Sequence, residues 1–578
     1  MKKIIFCCLM LQGIFVNAQD RYLSEVFSSV NKTSNVTFST NIPTVKVTNI
    51  FGNRLANEES YGQATTTLKM DIYQPVGDTN TNRPVIIFAF GGGFVNGSRT
   101  ESSMIKLCEA YAKRGFVTAT IDYRLGMNLS DKELSKRAVY RATQDGRSAV
   151  RFFRKNAATY KVDPNKIFIS GHSAGAFLAL HNIYLDKDSE RPASTRSYFG
   201  RADLGGLDTI GDNRTYSNGS AVSGKANGAI SFAGALGSID YIETSTDVPA
   251  AYFHSTNDGT VPYNSGEPFS ALNWLPGFNL PTVYGGNAMN DRANSVNAKH
   301  NFYSYTSRGH NVHFTWGNLY TDIAPKGSEF LYNYFLAPSA SRIIGNEVIC
   351  STCGPVTYNL NSFSKQTEWE VKGGKLLSQD NTSITVEWDK SAATKSINAI
   401  AYSSQLAKGV PINLALVVNL EPKIIKERNE ISVVPSLNLN DVFADPEGNA
   451  LTFNIYDKNG ALIEVSTTGT ITSELPKDDI VIEAVDTNNC KATMNLRNYN
   501  GLEELVTVYP NPFTKAFTLA LNFDEPSTVE IYDIKGTLVF KKEVIEKSIT
   551  INEIQQAGVY ILKTTNAKGT SEQKIIKE

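Results

Sequence analysis

The sequence has no excess of either charge and no long hydrophobic run. Its 56 Lys and Arg residues balance 57 Asp and Glu residues, which leaves a formal net charge of −1 over 578 residues. Proteins that bind nucleic acid carry a basic patch or stripe, so the composition indicates no nucleic-acid partner. A run of about 18 apolar residues, which a membrane-spanning helix needs, is also missing. We therefore predict no transmembrane helix in the mature protein.

Cysteine is scarce as well. Six cysteines in a chain of this length cannot form a disulfide scaffold. Cys350 and Cys353 have the spacing of half a zinc site, but no second Cys pair or His pair follows at ligand spacing. We therefore predict no metal site. Export to an oxidising compartment permits a disulfide among Cys350, Cys353 and Cys490.

The chain is long and divides into segments that differ in composition. At roughly 100 to 200 residues per domain, 578 residues predict about three to five domains. The first segment is short: Met1–Lys3 is basic, Ile4–Phe15 is apolar, and Val16–Ala18 ends in a small residue. This layout predicts a secretory signal peptide, residues 1–18, cleaved near Ala18.

From about Tyr61 to Pro338, short apolar strands alternate with helical stretches, a pattern typical of an α/β domain with a mainly parallel sheet. We assign residues 20–338 to this domain. The predicted strands are Pro84–Phe90, Phe116–Asp122, Lys166–Ser170, Gly228–Phe232, Ala250–His254 and Phe302–Thr306. The predicted helices are Lys132–Asn156, Ala174–Tyr184 and Lys326–Phe335.

A candidate nucleophile lies where one of these strands meets a helix. The strand ending at Ser170 runs into Gly171-His172-Ser173-Ala174-Gly175 and then into an apolar helix. A serine hydroxyl is a poor nucleophile unless a sharp turn holds it beside a base, and small neighbours let that turn close. The context predicts Ser173 as a nucleophile. The alternative is a helix N-terminus that merely contains a serine.

A glycine-rich turn supplies the second element. Gly91, Gly92 and Gly93 directly follow the strand Pro84–Phe90. Successive glycines let backbone amides approach a substrate and face the point where a tetrahedral intermediate gains negative charge. We predict that the amides of Gly92, Gly93 and Ala174 form an oxyanion hole. A purely structural glycine turn is the alternative.

The acid and base are expected later in the chain, in the order Ser, Asp or Glu, His. Asp258 lies in the loop after the strand Ala250–His254, at the sheet edge where such folds place functional groups. After the last strand, His310 is the preferred base and His313 the alternative. The remaining candidates are expected to be structural, packed or solvated: His172, His181 and His254.

With these residues in place, Tyr61–Pro338 resembles esterases of the α/β-hydrolase superfamily, near the carboxylesterase and hormone-sensitive-lipase-like groups. The motifs that carry the resemblance are Asp71–Pro75, Gly91–Phe94, Gly97-Ser98, Ile121–Leu125, Gln144-Asp145, Gly171–Gly175 and Asp258–Pro262. The resemblance implies hydrolysis through an acyl-enzyme on Ser173 without a cofactor, and scaffold roles for Asp122 and Asp145. Phe90 stands where the hormone-sensitive-lipase-like group usually has His, so subfamily and substrate stay open.

Residues 186–225 are rich in Ser, Asn, Gly and Arg and exceed what a minimal sheet needs. They are interpreted either as a lid or recognition insertion, or as a disordered loop.

The middle of the chain favours β-structure, with little helical periodicity between Ser341 and Asn500. Residues 341–421 resemble immunoglobulin or PKD-like modules, with Trp369 and Trp388 as expected core residues. Residues 422–500 resemble cadherin-like repeats. These modules either bind polysaccharide or act as spacers. Asp441, Asp445 and Glu447 either bind calcium or form a solvated turn.

The last segment, residues 505–578, shows alternating strands separated by turn residues. The predicted strands are Ala516–Phe523, Ser527–Tyr532, Thr537–Glu543, Ser548–Ile551 and Gly558–Thr564. Its opening Tyr509–Phe513, the Tyr532–Gly536 turn and the basic Lys574–Lys577 tail resemble the C-terminal sorting domain of the Bacteroidetes type IX secretion system. The resemblance implies recognition by that machinery, followed by release or surface attachment.

Together these observations predict an α/β class protein: an α/β-hydrolase fold with a mainly parallel sheet, followed by three small β-sandwich domains. The predicted function is a secreted serine esterase that acts on an extracellular ester, either polymeric or small. Acetylated or feruloylated polysaccharide, short acyl esters, lipids and polyesters are the substrate classes considered. The alternative is a catalytically inert hydrolase-fold adhesion module. A peptidase of the same superfamily is disfavoured because no propeller-like domain precedes the hydrolase region.

Overall fold

The computed structural model describes most of the chain. The described residues are 20–44, 64–270, 278–314, 317–350, 354–426, 437–473, 475, 479–496, 506–521, 525–567 and 569–578. The predicted signal peptide and Cys353 lie outside these ranges. Within them, every helix is too short or too polar to span a bilayer.

The N-terminal part of the described chain is built on one eight-stranded sheet. Its strands are β1 Val30–Pro43, β2 Thr65–Pro75, β3 Arg83–Ala89, β4 Val117–Ile121, β5 Val162–His172, β6 Gly228–Phe232, β7 Ala250–Ser255 and β8 His300–Tyr305. The spatial order is β1-β2-β4-β3-β5-β6-β7-β8. The first two pairings in this order are antiparallel and the others are parallel. The central strands are buried along their length, which explains their continuous apolar sequences.

Helices connect the parallel strands. The longer ones are α1 Ser102–Lys113, α2 Lys132–Lys155, α3 Ala174–Tyr184, α4 Gly286–Ser295 and α5 Ala324–Leu331, which continues as a π-helical turn over Tyr332–Leu336. The shorter elements are Ala157–Tyr160, Asp188–Glu190, Ala193–Arg196, Ile239–Tyr241, Leu319–Ile323 and the strand pair Ser265–Gly266 with Val283–Tyr284. α2 begins after Asp131, whose carboxylate accepts hydrogen bonds from the amides of Glu133 and Leu134. An antiparallel start followed by parallel strands with helical crossovers is the α/β-hydrolase fold, as predicted.

The predicted elements of this domain are present with small shifts at their ends. Gly228–Phe232 and Ala174–Tyr184 have the predicted bounds. The first strand of the sheet, β1, lies before Tyr61, where the sequence pattern predicted that the alternating strands and helices begin. β1 was not predicted since its Ser, Thr and Asn residues leave much of the strand exposed at the sheet edge.

A first β-sandwich follows the hydrolase fold. Its strands are Ile343–Ile344, Val348–Cys350, Val356–Leu360, Gln366–Lys372, Gly374–Gln379, Ser383–Trp388, Lys395–Tyr402 and Ile412–Asn419, arranged in two four-stranded sheets. Trp388 lies in the core between the sheets, and its indole N–H donates to the hydroxyl of Tyr358 over 3.2 Å. Trp369 packs at the margin of the same core. Both tryptophans therefore contribute to packing, as expected.

A second module is joined to the first by a disulfide between Cys350 and Cys490. Its strands are Lys423–Ile424, Phe443–Ala444, Thr452–Asp457, Leu462–Ser466, Ile480–Val485 and Lys491–Leu496. Next to the disulfide, the side-chain amide of Asn419 donates to the Asp486 carboxylate. The disulfide and this hydrogen bond link the end of the first sandwich to a turn of the second module.

The C-terminal segment forms a further pair of sheets. Its strands are Val506–Tyr509, Phe517–Leu521, Ser527–Asp533, Leu538–Val544, Ser548–Ile551, Gly558–Asn566 and Gly569–Lys577. The five predicted strands are present, and the first and last strands were not predicted as such. The basic tail is therefore part of a sheet and pairs with Gly558–Asn566. We propose the domain bounds 20–338, 341–421, 422–500 and 505–578.

The first sandwich is anchored beneath the large sheet by Gln405, which is 2% exposed. Its backbone carbonyl accepts hydrogen bonds from Tyr22 Oη at 2.6 Å and Asn80 Nδ2 at 2.8 Å, and its side-chain amide donates to Asp163. Asp163 lies at the start of β5, whereas Ser173 directly follows the end of that strand. The sandwich therefore attaches near the amino end of β5, whereas Ser173 follows the carboxyl end of the same strand.

Candidate active site

Ser173 occupies a tight turn between β5 and α3. β5 ends at His172 and α3 begins at Ala174. Ser173 has φ +53° and ψ −118°, a conformation that L-residues rarely adopt and that costs on the order of 1–3 kcal/mol. Strain of this kind persists where the surrounding structure enforces it, and it presents the hydroxyl at the carboxyl edge of the sheet.

Two glycines allow the turn to close. A Cβ on Gly171 would lie 2.4 Å from the carbonyl carbon of Gly175, and a Cβ on Gly175 would lie 2.1 Å from the carbonyl oxygen of Ala89. Both distances are far below van der Waals contact and involve backbone atoms, which cannot move aside. The glycines of the Gly-His-Ser-Ala-Gly motif are therefore required by packing against β3 and α3.

The structure brings Asp258 and His310 to Ser173. His310 lies in the loop after β8, and its Nε2 is 2.8 Å from Ser173 Oγ. Its Nδ1 is 2.9 Å from Asp258 Oδ2 and 3.1 Å from Oδ1. The Asp258 side chain is fully buried and that of His310 is 20% exposed. The three side chains therefore form one continuous hydrogen-bonded chain from carboxylate to hydroxyl.

The surroundings of Asp258 keep it ionised. Burial raises the pKa of this carboxyl, but hydrogen bonds from His254, His310 and the Val261 amide outweigh burial and hold the pKa well below its usual value. The Thr260 and Val261 amides donate to Oδ1 at 2.8 and 3.0 Å. A carboxylate in this position can fix the tautomer of His310 with the proton on Nδ1, which leaves Nε2 free to accept a proton from Ser173.

The glycine turn after β3 packs directly against the Ser173 turn. A Cβ on Gly91 would lie 3.4 Å from Ser173 Cβ. Gly92 and Gly93 have φ values of +118° and +62°. At Gly92 an added Cβ would lie 2.2 Å from the Asn96 carbonyl oxygen, so no other residue fits there. The turn is thus forced into a conformation open only to glycine, beside the candidate nucleophile.

Phe90, which stands where the hormone-sensitive-lipase-like group usually has His, packs against this glycine turn. Its ring stacks on Tyr123 with 4.2 Å between ring centroids, and Tyr123 Oη donates to the Phe90 carbonyl over 2.7 Å. An added Cβ on Gly97 would lie 2.4 Å from the Phe90 ring. The aromatic side chain therefore fixes the turn by stacking and close packing.

Ser173 borders a cavity of about 240 Å³. Gly93 and Ala174, two of the predicted oxyanion donors, line the same cavity. Most of the remaining wall is apolar and includes Phe94, Leu129, Val139, Phe177, Phe269 and Leu280. Gly92, the third predicted donor, precedes Gly93 in the chain and is not itself among the residues that line the cavity. The cavity can enclose an apolar group attached to a carbonyl at Ser173.

The other two histidines near Ser173, His172 and His313, serve packing. His313 lies 2.8 Å from the hydroxyl of Ser103, so the alternative base does not contact Ser173. His172 Nε2 lies 3.0 Å from the backbone carbonyl of His310, and the His172 ring packs at a tilt against that of His313, with 4.2 Å between the ring centroids. His172 is thus structural, as expected, and braces the loop that carries His310.

His254 is the neighbour whose contact was not predicted. It is 1% exposed and its Nε2 lies 3.2 Å from Asp258 Oδ2. The expectation that it is packed is met, but the packing includes the candidate acid. A histidine near the end of a strand, four residues before a candidate acid, is the sequence signal that could have indicated this contact.

The 186–225 insertion is bound tightly to α2. Side chains of α2 donate to backbone carbonyls along the insertion: Arg137 to Ser194 and Ala202, Gln144 to Leu204 and Gly206, Arg151 to Ile210, and Arg154 to Ser223. Pro192 of the insertion lines the cavity at Ser173. We therefore interpret the insertion as a fixed wall of the cavity and not as a disordered loop.

The candidate calcium residues do not converge. Asp445 Oδ1 accepts hydrogen bonds from the amides of Glu447 and Asn449 at 2.9 and 2.8 Å, which is the arrangement of a turn. In the part of the chain that the structure describes, no group of three or more His, Cys, Asp or Glu side chains could hold a metal ion. The structure thus favours the turn interpretation.

Buried neutral histidines should make the protein sensitive to mild acid. Burial lowers the pKa of His172 to about 3 and that of His181 to about 4. Because the unfolded chain binds these protons at about pH 6.5, lowering the pH below that value favours the unfolded state. Each such histidine should cost about 1.4 kcal/mol of unfolding free energy per pH unit between about pH 6.5 and 4.5.

The matched variant is His181→Gln, which keeps an acceptor for the Gly237 amide that now donates to His181 Nε2. Urea unfolding at several pH values should show a slope shallower by about 1.4 kcal/mol per pH unit in the variant. Equal slopes in both proteins contradict a neutral buried His181.

Two parts of the chain match known families. Residues 70–272 match the family described as BD-FAE, and residues 507–578 match the secretion system C-terminal sorting domain. The first match includes the glycine turn, Ser173 and Asp258, whereas His310 lies beyond its end. The second covers the last two β-sheets described above.

Individual proteins match shorter stretches. A neuroligin-like protein of Caenorhabditis elegans is 36% identical over 115 residues, and a probable isoprenylcysteine alpha-carbonyl methylesterase of Oryza sativa subsp. japonica is 28% identical over 160 residues. These stretches cover 19% and 26% of this chain and 15% and 35% of those proteins. The chain thus spans about a third or less of the length of these curated relatives.

Among solved structures, the propionate-bound esterase Est2 of Thermogutta terrifontis is 25% identical; the match covers 51% of this chain and 96% of that one, with a TM-score of 0.33. Residues 70–272 are thus an α/β-hydrolase domain similar to the BD-FAE esterase family, and residues 507–578 are a secretion-system C-terminal sorting domain, as predicted from the type IX resemblance. The protein is therefore secreted or displayed at the cell surface.

Proposed function

We propose that the protein is a secreted serine esterase that hydrolyses carboxylic esters through an acyl-enzyme on Ser173. The observation that carries the proposal is the hydrogen-bonded chain Ser173–His310–Asp258, with distances of 2.8 and 2.9 Å, at the wall of an apolar cavity. A hydroxyl, an imidazole and a buried carboxylate in this order are the groups that serine acyl transfer requires.

The proposed reaction has two halves. His310 Nε2 takes the proton from Ser173 Oγ as the oxygen attacks the ester carbonyl, and the charge that develops on the carbonyl oxygen faces the amides of Gly92, Gly93 and Ala174. Collapse of this intermediate releases the alcohol, which receives the proton from His310. Water then attacks the acyl-enzyme by the same route, and the carboxylic acid leaves. Asp258 stabilises the charged imidazole in both halves.

The cavity indicates the substrate class. An apolar cavity of about 150 Å³ accommodates benzene, so about 240 Å³ accommodates an aryl group with a short chain or an aliphatic chain of medium length. We propose esters that carry such a group. Because the protein is exported, a feruloylated polysaccharide, a lipid or a polyester fits better than a substrate with only acetyl groups.

The attachment of the first sandwich supports a spacer role for the middle modules. Gln405 fixes that sandwich to the edge of the sheet opposite Ser173, so it cannot extend the substrate-binding surface around the cavity. We propose that the modules hold the hydrolase domain away from the sorting domain, with the cavity facing outward. The type IX secretion machinery is the proposed partner of the last domain.

An ester panel tests both the function and the substrate class. Purified protein should cleave p-nitrophenyl hexanoate with kcat/KM about tenfold or more above p-nitrophenyl acetate, since the two esters share a leaving group and each buried CH₂ contributes about 0.8 kcal/mol. It should also cleave methyl ferulate. The panel also includes acetyl-xylan, p-nitrophenyl decanoate and polyester film. No cleavage of any ester contradicts the proposed function.

A cavity variant separates pocket shape from catalysis. Val139→Phe places a larger side chain in the cavity wall and should lower kcat/KM for hexanoate and ferulate about tenfold, while acetate hydrolysis stays close to that of the wild type. Equal losses on all three esters contradict the assignment of the cavity as the substrate pocket and leave the esterase proposal standing.

A further inference from the structure

His254 contacts the same carboxylate of the proposed triad as His310. It lies on β7, and its Nε2 is 3.2 Å from Asp258 Oδ2, the oxygen that also bonds to His310 Nδ1 at 2.9 Å. Both His254 and Asp258 are buried, with 1% and 0% of their side chains exposed. One carboxylate oxygen is therefore shared by two imidazoles.

The other nitrogen of His254 fixes its tautomer. The Gly286 amide, in the first residue of α4, lies 3.0 Å from His254 Nδ1. A backbone N–H can only donate, so Nδ1 is an acceptor and the neutral ring carries its proton on Nε2. Nε2 donates to the Val261 carbonyl over 3.2 Å, and the same nitrogen lies 3.2 Å from Asp258 Oδ2. The charged carboxylate is the stronger acceptor of the two.

The approach of α4 is close enough to make this arrangement rigid. A Cβ on Gly286 would lie 2.8 Å from His254 Cβ and 3.0 Å from its Nδ1. Strand, helix and loop are thus joined through one imidazole. With the Thr260 and Val261 amides on Oδ1 and two imidazoles on Oδ2, the carboxylate has donors that oppose rotation about its bond to the chain.

We propose that His254 is a positioning residue that holds the Asp258 carboxylate in the orientation that His310 requires. The inference rests on the proposed esterase function, since it concerns how that triad is kept in register. His254 contacts neither Ser173 nor His310 among the described hydrogen bonds, and it acts on the triad through Asp258 and the neighbouring Val261. Misplacement of a reacting group by about 1 Å can cost about 10²-fold in rate.

Two substitutions at His254 isolate the hydrogen bond to Asp258. In His254→Asn the amide oxygen can still accept from Gly286, but no donor remains at the Nε2 position. In His254→Gln the amide nitrogen can reach that position and donate to Asp258. We expect kcat for p-nitrophenyl butyrate to fall about 10- to 100-fold in H254N with KM within about twofold, and to recover in H254Q to within about threefold of the wild type.

Wild-type kcat in H254N, or an H254Q variant as slow as H254N, overturns the proposal. Urea unfolding of both variants accompanies the assay, because a loss caused only by packing should lower stability and activity together. If His254 acts by positioning Asp258, kcat should fall in H254N without a matching decrease in the urea midpoint of unfolding.

A measurement on the wild-type protein does not depend on esterase activity. The chain has six histidines, so selective ¹⁵N-histidine labelling gives few imidazole signals. The signal absent from the H254Q spectrum identifies His254. At pH 7.5 we expect a neutral ring with the proton on Nε2; a ring with the proton on Nδ1 cannot donate to Asp258 and overturns the proposal. Loss of the esterase function itself shows in the ester panel and leaves this tautomer unchanged.

Discussion

Ser173→Ala should reduce kcat for p-nitrophenyl butyrate about 10⁶-fold, to the level of the uncatalysed reaction plus what binding alone contributes. The alanine removes the only hydroxyl within hydrogen-bond distance of His310 Nε2 among the described contacts. The fold should be preserved, because the substitution removes one atom from a turn that the flanking glycines already close. The measurement is a steady-state assay with burst-phase analysis of the wild type.

Ser170→Ala is the matched control for this variant. Ser170 lies on β5 three residues before the nucleophile, is fully buried, and its Oγ has no hydrogen-bond partner within the described part of the chain. Removing an unpartnered hydroxyl should leave both activity and unfolding free energy close to the wild type. Retained activity in S173A refutes the assignment of the nucleophile, and equal losses in S170A and S173A point to damage of the strand instead.

Asp258→Asn should lower kcat about 10⁴-fold with little change in KM. The amide group presents a donor toward His310 Nδ1, which favours the tautomer with the proton on Nε2, the nitrogen that must accept from Ser173. The geometry can survive the change because Asp and Asn have nearly the same shape. The loss should therefore appear in kcat and not in the unfolding midpoint.

Asp240→Asn provides the control for removal of a negative charge. Asp240 is 82% exposed and pairs only weakly with Arg292 at 4.0 Å, so its replacement should leave kcat within about twofold of the wild type. A D258N variant with less than a tenfold loss contradicts the role given to Asp258, and Glu or another Asp would then have to orient His310.

Local sequence patterns predicted the parts of the site that depend on neighbouring residues. The strand–turn–helix pattern around Ser173 and the glycine turn after β3 are encoded within short segments, because a tight turn needs its small residues beside it. The choice of His310 over His313 could be favoured but not settled from sequence. The structure favours His310 because His313 forms a hydrogen bond with Ser103, which lies more than 200 residues earlier in the chain.

The features that the sequence left open or did not indicate depend on contacts between distant segments. The composition of residues 186–225 is typical of a polar loop. Hydrogen bonds from arginines of α2 to backbone carbonyls of this insertion hold it in place as part of the cavity wall. The contact of His254 with Asp258 depends on Gly286, 32 residues further along the chain. Neither contact is visible in the composition of its own segment, because hydrogen bonds made by backbone carbonyls or amides place little constraint on the residues that supply those groups.

The most direct test of the central claim is covalent labelling by a fluorophosphonate probe, which reacts with a serine only where a base has activated it. The wild-type protein and S170A should be labelled stoichiometrically, with the adduct on the peptide that contains Ser173, and S173A should remain unlabelled. An unlabelled wild-type protein, or an adduct on another serine, would contradict the account and favour an inert hydrolase-fold adhesion module.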